Sequence, residues 1–382
     1  MYRVHDYGAM IADRVRMEAY TQALRQSLKP GAVVLDLGTG TGIFALLACK
    51  FGAARVYAVE YNDAIEVARQ MAAANGYADR ITFIQELSTR VNLPEKADVI
   101  ISDLRGVLPL LEHHIPSLVD ARERLLAPGG VLIPQRDTLW AALLSAPPIY
   151  EQYFQPWHGD VYGFDTQAVR RMLANYWRHA EITAEQLLEE PQCWATLDYR
   201  TVREPNLAGE LRWKITTPAT AHGLGLWFDA TLLEGVQFSN APGNPNMIYG
   251  RAYFPWPQPV ALAAGDEVNV RIQANAVDND YVWSWNTAVF SSENDSKPKA
   301  EFQQSTFLGV PLSPQQLRKR ADSFVPNLNE EGEIARVVLQ KMNEREMLGD
   351  IARDLTQQFP QRFLDWQSAL SRVGELSLLF SE

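Results

Sequence analysis

Residues 34–48, VLDLGTGTGIFALLA, decide the fold. An apolar run leads into Asp36, then Gly38, Gly40 and Gly42 fall at alternate positions before a helical pattern begins. Glycines at such a turn let the backbone approach a ligand, and the free N–H groups at a helix start favour anionic or polar groups. The next apolar run, RVYAVE, ends on Glu60, where a carboxylate can accept both hydroxyls of a ribose. A Gly-rich strand–helix turn by itself is shared with dehydrogenases, whose fingerprint is G-x-G-x-x-G; the spacing here is D-x-G-x-G-x-G.

Outward from this turn, apolar runs alternate with helical patterns. AVVLDLG (32–38), RVYAVE (55–60), RITFIQE (80–86), ADVIISD (97–103) and GGVLIP (129–134) read as buried strands. GIFALLACKFG, AIEVARQMAAANG and HHIPSLVDARERLLAPGG read as helices or helix-containing connections. The alternation predicts an α/β, Rossmann-like, doubly wound parallel sheet over residues 1–135. Residues 1–30 read as helical, with Met10, Val15, Ala19, Leu24 and Leu28 at roughly helical spacing and Pro30–Gly31 as the stop.

The character changes after Pro134. TLWAALLSA, LGLWFDATLL, EVNVRIQANA and YVWSWNTAVF are rich in aromatic and β-branched residues, and predict an antiparallel β-barrel over 136–300. DTQAVRRMLANYWRHA (165–180) is a helical interruption, and SSENDSKPKAEFQQST (291–306) reads as a polar linker or loop. Residues 301–382 are expected to hold this linker and a C-terminal helical module with a winged-helix-like rhythm, for which Ser313–Pro314 is a good N-cap and first-turn pair. That module suits packing or peptide docking; its basic cluster is limited to LRKR (317–320).

A chain of 382 residues implies two domains and a small third. The net charge of −11 argues against a nucleic-acid binder, which needs a basic face. Cys49 and Cys193 lie too far apart in sequence to suggest a disulfide framework, and no metal site is expected. No stretch reaches the roughly 18 apolar residues of a membrane span, so a cytoplasmic enzyme is expected.

D-x-G-x-G-x-G with Glu60 resembles the class I S-adenosylmethionine-dependent methyltransferases, which implies that cofactor. Over roughly residues 5–300 the chain further resembles the protein arginine methyltransferase family, as a divergent bacterial-type member with altered substrate loops. YGAMIADRVRMEAY (7–20), ARERLLAPGGVLIPQRDTL (121–139) and DVYGFD (160–165) carry the likeness. The resemblance puts Arg16 on the arginine that pairs with the cofactor's carboxylate, and Met10 near the reactive sulfonium. Ser88 and Thr89 fall at the adenine edge, with Thr89 where many members have glutamate. It also implies a helical arm, about 150–185, that docks on a second subunit to make a homodimer.

SDLRGVLPLLEHHIPS (102–117) falls on the family's double-glutamate loop, which grips a guanidinium between two carboxylates. Asp103 stands at the first glutamate and Glu112 at the second. The family's Thr-His-Trp loop falls on Met247–Ile248–Tyr249, so its histidine is absent. Three readings of the loop stand in order. Asp103 and Glu112 hold a guanidino or amino acceptor; His113 or His114 acts as base for an oxygen or nitrogen nucleophile; or the chain is a non-catalytic scaffold. Arg105 would neutralise the pocket if turned inward and would leave it acidic if turned to the surface. The expected acceptor lies on a protein, a peptide or a small natural product.

Overall fold

A computed structural model of the chain describes residues 3–159, 161–293 and 297–381. Two parts of the sequence reading touch the remainder: Asp160 of DVYGFD and residues 294–296 of the polar stretch lie outside the described residues. The chain divides into two compact units, Met1–Pro311 and Leu312–Glu382.

The first unit begins with two helices rather than one, α1 (Val4–Ala12) and α2 (Arg14–Ser27). The break is at Asp13, whose extended backbone frees its carboxylate to cap α2 by accepting the Arg16 N–H at 3.1 Å. The parallel sheet follows, with strands β1 (Val33–Leu37), β2 (Arg55–Val59), β3 (Ile81–Ile84), β4 (Ala97–Ser102) and β5 (Leu126–Ile133) in the order β3-β2-β1-β4-β5. Helices α3 (Ile43–Lys50), α4 (Ala64–Ala74) and α5 (His114–Arg124) connect them. β1, β2 and β4 bury nearly every residue, as strands covered on both faces must; that is why they read as apolar runs without alternation. The expected strand GGVLIP begins earlier than its glycines, at Leu126.

Two antiparallel sheets follow. Strands β6 (Arg136–Leu144), β7 (Arg178–Ala180), β8 (Gln192–Asp198), β10 (Ala219–Leu233) and β12 (Arg251–Leu262) form one, in the order β7-β12-β10-β6-β8, with β11 (Val236–Ser239) on β10. The other runs β15-β14-β13-β9, from β9 (Leu207–Lys214), β13 (Glu267–Val277), β14 (Asp280–Phe290) and β15 (Ala300–Ser305). β14 shows why: every second residue of DYVWSWNTAVF is buried, the period of a half-buried strand. Trp283 and Trp285 of β14 meet Phe254 of β12 edge-on, with ring centroids 5.4 and 5.0 Å apart, and so join the two sheets. Residues 300–305 of the expected polar loop are thus strand, and the boundary expected at 301 falls inside β15. Helices α6 (Pro147–Phe154) and α7 (Gln167–Ala174) lie between β6 and β7, in the stretch expected to form the arm.

The second unit has helices α8 (Pro314–Lys319), α9 (Glu330–Asn343), α10 (Leu348–Gln358) and α11 (Trp366–Phe380). Ser313 caps α8 through the Gln316 N–H. Ile334, Val338, Ile351, Leu355, Phe363 and Val373 give this unit its own apolar core. Among the described residues no helix is long and apolar enough to cross a membrane.

Candidate functional site

The sheet order reverses direction at β1, so the carboxyl ends of β1 and β4 form the switch point at which ligands of doubly wound sheets bind. Two aspartates mark it: Asp36 inside β1 and Asp103 just past β4. Asp36 is fully buried and accepts hydrogen bonds from the Thr39 hydroxyl at 2.5 Å and the Ala45 N–H at 2.9 Å, tying the glycine turn to α3. Its partners are neutral, so burial prevails over those two bonds and lifts the carboxyl to about 7, helped by the nearby charge of Glu60. Its other oxygen, Oδ1, is buried without a protein partner.

Glu60 lies at the end of β2 and accepts the Gly40 N–H at 2.9 Å and the Asn62 N–H at 3.1 Å. Val59 O holds the other side of the turn through the Gly38 and Thr39 N–H groups. Glycine is required at two points. Gly38 and Gly40 have φ of +74° and +53°, and a Cβ on either would lie 2.4 Å from Leu104 or from the Tyr7 ring. Gly42, at φ +85°, starts α3. Met10 is half-buried, and its carbonyl accepts from Arg16 Nη1 at 3.1 Å. Ser88 and Thr89 form a short turn whose carbonyls accept from Arg124 of α5; Ser88 is half-buried and Thr89 exposed. A carboxylate after β2, a turn that excludes side chains and an unpaired buried acceptor together fit a nucleoside-bearing cofactor with a charged tail.

Beyond β4 runs a buried chain of charges. Asp103 Oδ2 accepts from Arg16 Nε at 2.5 Å and from the Tyr249 hydroxyl at 2.7 Å; Oδ1 accepts from Arg105 Nη1 at 3.2 Å. Burial alone would raise this carboxyl, but Arg16 and Arg105 outweigh it and hold it below its ordinary value. Arg105 turns inward, with its side chain fully buried. It bonds both oxygens of Asp137 at 2.7 and 2.8 Å and the Tyr20 hydroxyl at 2.6 Å, beside the rings of Phe228 and Phe238. Tyr199 donates to Asp137 at 2.5 Å and meets His114 Nε2 at 3.0 Å. Burial, and then the charge of Arg105, lowers the His114 imidazole to about 3, so it is neutral at physiological pH.

The expected acceptor carboxylates are differently housed. Asp103 lies within this network, whereas Glu112 is exposed, at φ +42°, in the turn that starts α5. The two histidines also diverge: His113 is exposed and bonded to Asn279 at the tip of the β13–β14 hairpin, and His114 is buried. The loop Met247–Ile248–Tyr249 does meet α2, since the Ile248 N–H donates to Asp13 at 2.9 Å and Tyr249 reaches Asp103. Sequence reasoning missed Asp137, Tyr20 and Tyr199. Asp137 left a faint trace, as a fully buried acid between Arg136 and Thr138 at the polar start of β6, but its partner is 32 positions away.

Comparison with known proteins bears on both halves. Residues 18–144 match the family described as ribosomal protein L11 methyltransferase, and residues 135–289 match the arginine methyltransferase oligomerization subdomain. A probable protein arginine N-methyltransferase 6 of Arabidopsis thaliana is 35% identical over 246 residues, covering 62% of this chain and 55% of the relative. Protein arginine N-methyltransferase 2 of Homo sapiens is 32% identical over 288 residues, 70% of this chain and 66% of that protein. The chain thus spans between about half and two thirds of the length of these curated relatives, which are eukaryotic. In fold it is similar to a Trypanosoma brucei PRMT1 enzyme–prozyme complex with AdoHcy, with a TM-score of 0.71 at 24% identity over 78% of this chain and 96% of the other. Arabidopsis thaliana protein arginine methyltransferase 10 gives a TM-score of 0.69 at 24% identity, over 79% and 97%. In sequence and architecture the chain is arginine-methyltransferase-like.

Proposed function

We propose that the chain is a divergent S-adenosylmethionine-dependent methyltransferase, acting on a guanidino or amino nitrogen of a protein, peptide or small natural product. The observation that carries this reading is the pairing of two residue sets at the sheet's reversal point. In one the Gly38–Gly42 turn is pinned by Glu60; in the other an ionised Asp103 is presented by β4. Glu60 is assigned to the ribose hydroxyls, Asp36 and the glycine turn to the cofactor's tail, Arg16 and Met10 to its carboxylate end, and Ser88 and Thr89 to the adenine edge. Asp103 and Glu112 are assigned to the acceptor.

Bound S-adenosylmethionine supplies an already activated methyl group, so the protein's task is alignment and exclusion of water. Asp103, held ionised, accepts an N–H of the acceptor and so fixes the direction of the nitrogen lone pair. Tyr249 and Arg105 prevent that carboxylate from rotating. Gly38 and Gly40 let Leu104 and Tyr7 close over the turn.

The same reading makes the chain a cytoplasmic homodimer. The match of residues 135–289 to an oligomerization subdomain supports it. So do aromatic side chains of the arm that stand in solvent, with Tyr162 95% and Phe164 70% exposed. Both cysteines are free, which suits a reducing compartment.

Calorimetric titration with S-adenosylmethionine and with its demethylated product tests the cofactor half; the enzyme reading falls if neither binds. Incubation with labelled cofactor and a panel of arginine peptides, amines and carboxylates tests the acceptor half. Label on a carboxylate or hydroxyl instead of a nitrogen would overturn the assignment.

A further inference from the structure

Resting on the assignment of Asp103 to the acceptor, we infer that Arg251 is a positioning residue of that site: it holds residues 240–246 around its guanidinium and so delivers Tyr249 to Asp103. Arg251 opens β12, is 4% exposed and forms no ion pair among the described residues. Its bonds go to neutral oxygens instead. Nε donates to Asn240 O at 2.8 Å, Nη1 to Asn246 Oδ1 at 2.8 Å, and Nη2 to Ala241 O at 2.8 Å and Asn244 O at 3.2 Å. Burial lowers this guanidinium below its ordinary value, opposed in part by the charge of Glu181. What favours a cation here is the shape of its donor set.

The loop has few other contacts to fix its shape. None of residues 241–246, APGNPN, is buried, so apolar packing does not order them. Ordering such a segment opposes folding entropically, and a planar guanidinium offsets that by holding several points at once. The single ammonium of a lysine cannot span them. Asn240 joins the two ends of the loop, accepting the Phe228 N–H at 2.9 Å and donating to the Gly250 carbonyl.

Beyond residue 246 the chain enters the site. The Ile248 N–H donates to Asp13 at 2.9 Å and the Tyr249 hydroxyl to Asp103 Oδ2 at 2.7 Å. The Tyr249 ring stacks on Phe238, with centroids 5.7 Å apart and planes 4° from parallel. Stacking tolerates a slide in the ring plane, whereas the hydroxyl's bond is lost in a slide of about 1 Å. The backbone therefore sets the register of that hydroxyl, two residues before Arg251. Arg16, the other donor to Oδ2, is assigned to the cofactor, so Tyr249 is the Oδ2 donor that does not depend on cofactor binding.

The test compares R251M, R251K, Y249F and R251M/Y249F in the full chain, with labelled S-adenosylmethionine and an arginine peptide. R251M and Y249F should each lower kcat about tenfold, with cofactor affinity by calorimetry within about twofold of the wild type. The double variant should fall no more than about twofold below R251M, because both changes remove one interaction. R251K, which keeps the charge and loses the fork, should lie between wild type and R251M. Losses that multiply in the double variant, or wild-type kcat in R251M, would overturn the inference.

A second readout needs no turnover. Carbon-13 NMR of the Asp103 carboxyl, assigned by its loss in D103N, should show it titrating higher by the same amount in R251M as in Y249F. Each variant removes a donor that favours the charged form. An Asp103 titration unchanged in R251M refutes the inference whatever the activity. If the wild type labels neither arginine nor amine peptides while both titrations rise together, the nitrogen-methylation reading falls and the placement of Asp103 by Arg251 stands. Should R251M fail to fold, R251K and R251K/Y249F decide by the same two criteria.

Discussion

Asp36 and Asp103 lie near the carboxyl ends of neighbouring parallel strands, Asp36 within β1 opposite Ile101 and Asp103 two positions further on, just beyond β4, and both are withdrawn from water. They ionise in opposite senses. Asp36 is surrounded by neutral donors, a hydroxyl and an amide N–H, and burial pushes it up to about 7. Asp103 suffers burial too, but two guanidinium groups and a tyrosine hydroxyl hold it below the ordinary carboxylate value. Position in the fold does not set a carboxylate's charge; the charge of its partners does. The proposed cofactor wall is thereby built mainly from short-range bonds of carboxylates to N–H groups and a hydroxyl, and the proposed acceptor wall from long-range bonds between charged groups.

Breaking a charged partnership should cost most. Arg105→Met leaves Asp137 buried with only Tyr199 beside it, and unfolding in urea should show a loss of about 3–5 kcal/mol. Adding Asp137→Asn should recover most of it, and a loss below about 1 kcal/mol for the single variant would deny the network its role.

Next is the pH dependence of Asp36. A carboxyl whose folded pKa is raised contributes fully to stability below its unfolded value near 3.8, and that contribution is lost as pH rises through about 7. Between pH 5 and 8.5 the loss amounts to about 3 kcal/mol at 1.36 kcal/mol per pK unit. Unfolding measured at both pH values should show Asp36→Asn insensitive to it, and a variant as pH-dependent as the wild type would contradict the assignment.

Glu60→Gln removes a charge from the cofactor wall without touching the acceptor wall. Affinity for S-adenosylmethionine by calorimetry should fall by about 1.5–3 kcal/mol, roughly 10- to 100-fold, with little change in stability. Tyr249→Phe has the smallest expected effect, because Asp103 keeps both arginines. A loss of about 1 kcal/mol in urea unfolding is expected, together with an Asp103 carboxyl that titrates higher by NMR.

Much of the proposed cofactor wall is legible in the sequence alone. Asp36, Thr39, Gly40 and Ala45 are bonded within ten positions of one another or to Glu60, 20 positions on, and the parallel strands announce themselves as short apolar runs. The acceptor wall was legible only as a list of residue types. Asp103 and Glu112 were visible as the two ends of a loop, yet a left-handed turn at Glu112 leaves its side chain exposed while Asp103 is buried. The helix expected over 1–30 breaks at Asp13 because that side chain serves both the Arg16 N–H and the Ile248 N–H, a bond across 235 positions that no local periodicity reveals. Similarly, residues 300–305 look polar because β15 is an edge strand, with only β14 beside it.

The sequence by itself therefore determined the parallel sheet, the glycine turn, the change to antiparallel strands after Pro134 and the helical tail. Each is encoded in spacings of two to four residues or in backbone conformations reserved for glycine. Only the tertiary structure decided that Arg105 points inward, that Asp103 is shared between Arg16 and Arg105, and that His114 is a neutral core residue. Those outcomes depend on partners as far as 87 and 146 positions from Asp103. A charge's direction and protonation follow from what the fold brings within about 3 Å of it, and separation along the chain does not carry that information.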